Sequence, residues 1–589
     1  MIVKMKEVTL VVNGRNRDDA LSALRKLGVL HVRSTMQEST EDISTIGSLQ
    51  GTVDKALAVL DPYTAGKVKK AKDMQPVVQD IITYQSELAT MRTRLSELEQ
   101  TCQWYNWFGR VSGESIDVLK NQGVHIRFYQ TDKAGLKTVS PDRQVYVAGE
   151  QGGTVYCALI SDSPDDVLDF KEMPMPDTEY GQLKKDITLA QKDIAALEKK
   201  LHGMAAYKEA LAAYRKQLDK RLEYARVRAG MGNDEDFAYV SGYCPADATD
   251  SLKQCADKES WAYIIADPDN LRDVPTLLRN PRWLRIVQPL FDFMGTLPGY
   301  HELDVSFAFL AFFSLFYAIL IGDAGYGLVF LAGTLFLSRK FKDAPQEPFY
   351  LMYLLSAATI LWGLLSGTWF GSEQLAQLPV LRDCVLPQLD SFSDSSQNFV
   401  MQLTFTIGAI HLSIARLMSA FKRMNSPTAI AELGWIAIIW GIYFVANNLI
   451  LSVPLNSAVI PLVAGGAAVV ALFANFQKNI VKGFLLSLGN LPLDIISSFS
   501  DVVSYIRLFA VGFATVIVAS SFNDMAAGVG FNSILSGVMV SVILVFGHGL
   551  NIILGLMAVL VHGVRLNMLE FSGHCNLEWS GRNYMPFKE

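Results

Sequence analysis

The amino-acid sequence predicts an α-helical polytopic membrane domain joined to cytoplasmic α/β lobes that are linked by an antiparallel coiled coil. Three observations predict it. Charge is unevenly shared: residues 1–304 hold 83 Asp, Glu, Lys and Arg, whereas residues 305–589 hold 27. Long apolar runs fall near 305–338, 349–371, 398–419, 432–452, 457–475, 495–522 and 532–566, each read as membrane-spanning sequence. Two stretches of the first half repeat apolar residues every seven positions. The expected boundary therefore separates a water-exposed domain, 1–304, from a transmembrane domain, 305–589.

In the first half, residues 6–12 (KEVTLVV), 17–27 (RDDALSALRKL) and 28–33 (GVLHVR) read as strand, helix and strand. Pro76 opens a helical arm near 70–101, where Ile81, Leu88 and Leu95 recur at seven with Tyr84, Met91 and Leu98 three positions after each. That spacing is an a/d seam. Residues 103–175 break the period with β-rich sequence such as VHIRFYQ and QVYVAG. A second arm, near 180–225, repeats Leu183, Ala190, Leu197, Met204, Leu211 and Leu218, interleaved with Ile187, Ile194 and Leu201. Two such arms around an insert are expected to fold back on each other as a capped rod; two amphipathic helices on one compact domain are the alternative. Residues 236–265 read as another strand-helix-strand lobe, which makes the first half a dumbbell.

Several function classes are excluded by what these residues lack. A net charge of −6 offers no attraction for nucleic acid, and the six cysteines have no CxxC spacing that would hold a metal. No GxxxxGK[ST] occurs, and Gly66-Lys67 lacks the flanking glycine and hydroxyl of a phosphate loop, so the chain itself is not expected to hydrolyse ATP. His31, His125 and His202 stand alone, without a nucleophile and base. No cofactor is expected. The opening MIVKMKEVTLVVNG has no uninterrupted apolar stretch of the signal-peptide kind, so the charged half should stay in the cytoplasm as a connector.

In the second half, the first run covers 34 residues, about 50 Å as a helix against a hydrocarbon core of about 30 Å, and Ile-Gly-Asp-Ala-Gly-Tyr-Gly (321–327) interrupts it. Read as a tight hairpin of two short spans, it brings the total to eight. Under that reading Arg339, Lys340 and Lys342, then Lys422 and Arg423, then Lys478 and Lys482 share one side with both termini. The positive-inside rule makes that side cytoplasmic. Loop 372–397, with Glu373, Asp383, Asp390 and Asp394 against Arg382, falls outside. The expectation is a multi-pass protein of the cell (inner) membrane.

Arg507 lies in SYIRLFAVGFA (504–514), with no acidic residue between Asp501 and Asp524. A guanidinium at membrane depth costs about 2.5 to 3.5 kcal/mol and keeps its proton, so it calls for a partner or a function. On a continuous helix Ser500, Ser504, Ala510, Val511 and Ala514 lie near its azimuth, small enough for another helix to approach. On the last span Asn551, Gly555, Ala558, His562 and Arg565 share one stripe, with His548 at its margin. Such a stripe should face water, a partner or Arg507, although Arg565 snorkelling beside Glu570 is the competing account. Arg416, near a cytoplasmic end and close in sequence to His411, reads as snorkelling. Asp323 is the only acidic residue well inside a run, while Asp494 and Asp501 sit near the entry to the Arg507 span. A carboxylate partner for Arg507 is therefore expected on another chain.

SDVVSYIRLFAVGFA, VHGVRLNMLEF, IGDAGYGLVF, DVPTLLRNPRW and the Tyr300-His-Glu-Leu-Asp304 segment resemble the membrane stator subunit of rotary V-type and A-type ATPases, subunit a or subunit I. The resemblance covers essentially the whole chain and points to a bacterial or archaeal member. It implies a non-catalytic subunit that forms aqueous half-channels against a c/K proteolipid ring, coupling proton or sodium translocation to ATP hydrolysis or synthesis. By the same resemblance Arg507 is the arginine that displaces the ion from the ring carboxylate, Arg565 is the second arginine, and His562 and Glu570 fall on family positions. Ser504 and Asn551 join them as translocation candidates; Asp323, Asp501, Glu570 and His548 are structural or channel-supporting candidates. The partners implied are the ring, peripheral-stalk E/G-type subunits, a central-stalk d/C-type subunit, the catalytic A/B head reached through stalks, and the lipid membrane. Eukaryotic members carry a glutamate where this chain has Gly555. A stand-alone secondary transporter with a regulatory domain is the competing class, and it would need broken helices in corresponding halves; only the 321–327 break is evident.

Overall fold

The structure is a computed structural model in which residues 1–33, 41–64, 68–69, 71–234, 236–475, 480–530 and 533–589 are described. Gly66, Lys67 and Lys478 lie outside the described residues. The chain divides into two compact units, Met1–Arg33 with Glu235–Lys588, and Ser34–Asp234.

The second unit is built on four helices, Glu41–Leu60, Gln75–Phe108, Tyr180–Met204 and Lys208–Ala229. Pro76 stands in the first turn of the longest, where its missing N–H costs nothing. Most seven-residue positions face inward: Ile81, Leu88, Leu183, Ala190, Leu197, Leu211 and Leu218 are buried, while Leu95 and Met204 are half-buried. Leu183 packs near Trp104 and Phe108 at one end, whereas Leu201 packs with Val78 and Ile81 at the other. The Gln75–Phe108 and Tyr180–Met204 helices thus run antiparallel. The insert between them forms an antiparallel sheet ordered Gln144–Gln151, Thr154–Ser161, His125–Asp132, Lys171–Glu172.

In the first unit, the 6–12 and 28–33 strands and the strands of 236–265 join one sheet instead of forming separate lobes. Phe237–Pro245 pairs antiparallel with Met5–Asn13, placing Val8 opposite Gly242, and also with His31–Val32; Ala262–Ala266 pairs with the far edge of Met5–Asn13. The cause is mutual need. Val8, Leu10 and Val12 alternate toward the interior, and a strand with one apolar face gains by extending a single sheet.

Among the described residues, five helical segments are long and apolar enough to cross a membrane: Glu347–Ser366, Ser396–Lys422, Thr428–Leu451, Lys482–Val529 and Ile534–Cys575. Helices Ser306–Ile321 and Ala324–Lys340 pass the same test together but bend by 119° at their break, which gives six when the pair is one span. Val459–Phe473 is apolar but shorter. Gly322 makes the break with φ +70°, a conformation that costs glycine little, and Asp323 caps the helix that follows. Phe309, Phe316, Leu320, Phe405, Leu412 and Leu508 form the centre of the bundle core. Gly512 lets the Arg507 helix lie on the first hairpin helix, since a Cβ there would stand 2.5 Å from the Ile319 carbonyl oxygen.

Candidate functional site

Arg507 does not lie within a continuous helix. One helix runs Ile480–Val503 and the next Ile506–Val529, with a turn at Ser504 and Tyr505. The break frees the Ser504 carbonyl, which then accepts from the Arg507 backbone N–H at 3.3 Å and from Nε of its guanidinium at 2.9 Å. The turn thus supplies Nε of the guanidinium with an acceptor and leaves its Nη groups to other partners. The azimuth expected for Ser504 on a continuous helix is consequently replaced by direct contact at this turn.

A carboxylate from the same chain meets this arginine, which corrects the expectation that its partner lies wholly elsewhere. Arg507 Nη2 is 2.8 Å from Glu570 Oε1; Ser504 Oγ donates to that oxygen at 3.0 Å, and Arg565 Nε stands 3.6 Å away. The Glu570 side chain is 4% exposed, against 22% for Arg507 and 53% for Arg565. Two π-helical turns, Val559–Gly563 and Leu566–Phe571, place Glu570 beside Arg565, off the stripe that a regular helix would give. Hydrogen bonds between residues five apart widen the turn and carry Glu570 round toward the arginine face. Arg565 keeps half its surface free yet reaches Glu570. His562, on the same stripe, has a buried Nδ1 with no hydrogen-bond partner among the described residues.

Further polar groups surround the break. Tyr505 Oη lies 2.8 Å from His411 Nδ1, and the fully buried His411 ring stacks on Phe571. Arg416 is not snorkelling: it donates through Nη1 to Glu432 at 3.1 Å and through Nε to His574 at 3.0 Å. His574 Nε2 is in turn 3.0 Å from Asp501 Oδ2, and Ser419 donates to Glu432 at 3.0 Å. Glu432, at the start of an apolar run, is only 4% exposed and acts as the counterion of Arg416. Asp494 is exposed and joins neither group.

Nearer the hairpin break, Tyr326 Oη links His548 Nδ1 at 2.8 Å to Asn551 Nδ2 at 3.0 Å, and Asn551 also donates to the Thr515 carbonyl. His548 Nε2 lies 3.2 Å from Asn523 Oδ1. Asn551 and His548 thus belong to one hydrogen-bonded chain, separate from the Arg507 and Glu570 group. Asp323 accepts from four backbone N–H groups, those of Gly325, Tyr326, Phe370 and Gly371, at 2.7 to 3.2 Å. A carboxylate so fully satisfied ties the hairpin tip to the loop before residue 372. Among the described residues no group of three or more His, Cys, Asp or Glu could hold a metal ion.

This chain is 32% identical over 617 residues to V-type ATP synthase subunit I of Borreliella burgdorferi, with all of both chains aligned. It belongs to the V-type ATP synthase subunit I family. The corresponding subunit I 1 of Treponema pallidum is 31% identical over 628 residues, again with both chains fully covered. A-type ATP synthase subunit I of Methanocaldococcus jannaschii is 26% identical over 61% of this chain and 56% of its own length. A solved structure, the cytoplasmic N-terminal domain of subunit I, homolog of subunit a, of V-ATPase, covers 44% of this chain and 99% of its own at 13% identity and TM-score 0.27. No family model matches. As a subunit I family member with long apolar helices, the chain is a membrane protein of a rotary ATPase complex.

Proposed function

We propose that this subunit I is the stator that forms two offset aqueous half-channels against a c/K proteolipid ring, with Arg507 displacing the coupling ion from the ring carboxylate. The observation that carries this reading is the meeting of Arg507, Glu570 and Arg565 where the two longest apolar segments converge. Two fixed cations around one carboxylate leave a net positive site, and Arg507 retains an open face. A guanidinium about 4 Å from a ring carboxylate, at an effective dielectric near 20, gains about 4 kcal/mol. That lowers the carboxylate pKa by about three units, enough to strip a proton or displace sodium from a site loaded in lipid. Arg507 also bars direct leakage between the half-channels. Asn551 and His548 would serve one access path, Asp501 and His574 the other, and His562 and Ser504 the vicinity of the arginine.

In this reading the chain spans the inner membrane eight times with both termini cytoplasmic, the hairpin counting as two spans. The heptad arms act as a coiled coil that clasps E/G-type peripheral stalks and so resists rotor torque, while a d/C-type subunit links ring and head. ATP chemistry belongs to the A/B head. Purification from native membranes tests the assignment: co-isolation with a proteolipid ring and an ATPase head is expected. Ion transport by the lone chain in liposomes would instead establish the secondary transporter.

A further inference from the structure

We infer that Glu570 is an in-chain stand-in for the ring carboxylate, holding Arg507 while no ring carboxylate faces it and thereby setting how strongly Arg507 competes with the ion. This rests on the stator reading. Two carboxylates in the same bundle show the contrast that carries it. Asp323 uses both oxygens on four backbone N–H groups, partners that cannot leave without unfolding the loop. Glu570 uses Oε1 alone, on side chains of Arg507, Ser504 and Arg565, and its buried Oε2 has no partner among the described residues. Its contact with Arg507 runs through one nitrogen, Nη2, not through a two-pronged fork, so it is weaker and exchangeable.

Arg565 completes the device. A carboxylate buried to 4% exposure cannot be stripped of its cation cheaply, but Arg565 Nε already waits 3.6 Å away. When Arg507 turns to the ring, Arg565 takes up Glu570, and the exchange reverses as the ring carboxylate reloads. Glu570 therefore competes with the ring for Arg507, just as the ion competes with Arg507 for the ring. Without its charge the Arg507 and ring pair persists longer, and more ion is needed to break it.

The test uses the intact complex carrying Glu570→Gln, with ATP-driven turnover followed against pH and against sodium concentration. The half-saturating concentration of whichever ion drives turnover is expected to rise about tenfold, with a smaller fall in kcat. An unchanged half-saturating concentration overturns the inference, including when kcat alone falls, since that marks a purely structural role. If Glu570→Gln does not assemble, Glu570→Asp decides: a smaller rise supports the inference and no rise overturns it. Arg507→Ala is measured alongside. Coupled transport surviving in that variant refutes the stator reading itself, whereas an inactive Arg507→Ala beside an unshifted Glu570→Gln refutes only the role given to Glu570.

Discussion

The Tyr505 hydroxyl, 2.8 Å from Nδ1 of His411, ties the break before Arg507 to the turn that carries Glu570. His411 stacks on Phe571 with ring centroids 4.4 Å apart, and Phe571 follows Glu570 in the chain. Gly408 admits the tyrosine, because a Cβ there would lie 2.6 Å from its ring. Tyr505→Phe leaves a buried imidazole nitrogen without its partner and is expected to cost about 1 to 3 kcal/mol. Thermal denaturation of the purified complex checks this, and an unchanged melting temperature would show that the contact is dispensable.

Asp323 fixes the hairpin tip through four charge-assisted hydrogen bonds. Asn at this position keeps one acceptor oxygen and replaces the other with a donor facing backbone N–H groups. Asp323→Asn should therefore destabilise the membrane domain by about 2 to 4 kcal/mol, seen as a lower denaturation temperature and a lower yield of assembled complex. Normal yield and melting would assign Asp323 a role other than this staple.

Glu432 neutralises Arg416 and, at 3.4 Å, Arg423. Removing one partner of a buried pair strands the other, so Glu432→Gln is expected to cost about 3 to 5 kcal/mol, and adding Arg416→Met should recover part of it. A double-mutant cycle on detergent-solubilised complex measures the coupling. Additive effects would mean that the pair contributes nothing jointly.

Burial lowers the His31 pKa from its usual 6.5, the Met585 backbone hydrogen bond opposes this, and the Arg582 charge adds to it. The unfolded state then binds more protons than the folded one as pH falls through this range. The contribution of His31 to holding the segment around Met585 is thus present above about pH 6.5 and lost as pH falls toward the lowered folded value. Hydrogen exchange at Met585, corrected for its intrinsic pH dependence, should quicken between pH 7.5 and 5.5, and His31→Asn should abolish that pH response. Equal protection at both pH values in the unmodified protein would contradict it.

Elements with strong periodicity were the most legible. Leu183, Ala190, Leu197 and Leu211 face inward where the sevenfold spacing puts them, because that repeat depends only on helix geometry. The hairpin break was legible too, since glycine beside Asp323 interrupts an overlong run. Pairing between distant segments was not: the strands at 5–13 and 237–245 meet across most of the first half of the chain, and local patterning carries no signal for that. Arg507 itself was conspicuous as a charge in apolar sequence. Its partner was hidden because Glu570 reaches it only through π-helical turns, which a regular 3.6-residue projection cannot anticipate. Glu432 was missed for a related reason, its burial depending on Arg416 one helix away.

The most direct measurement is ion uptake per ATP hydrolysed by proteoliposomes holding the assembled complex with Arg507→Ala or Arg507→Lys. Alanine removes the charge, and lysine can neutralise itself in a low-dielectric site. Both variants are expected to assemble with the ring and to lose ATP-driven uptake. Uptake at the unmodified ratio by assembled Arg507→Ala would contradict the role of Arg507 as the group that displaces the ion.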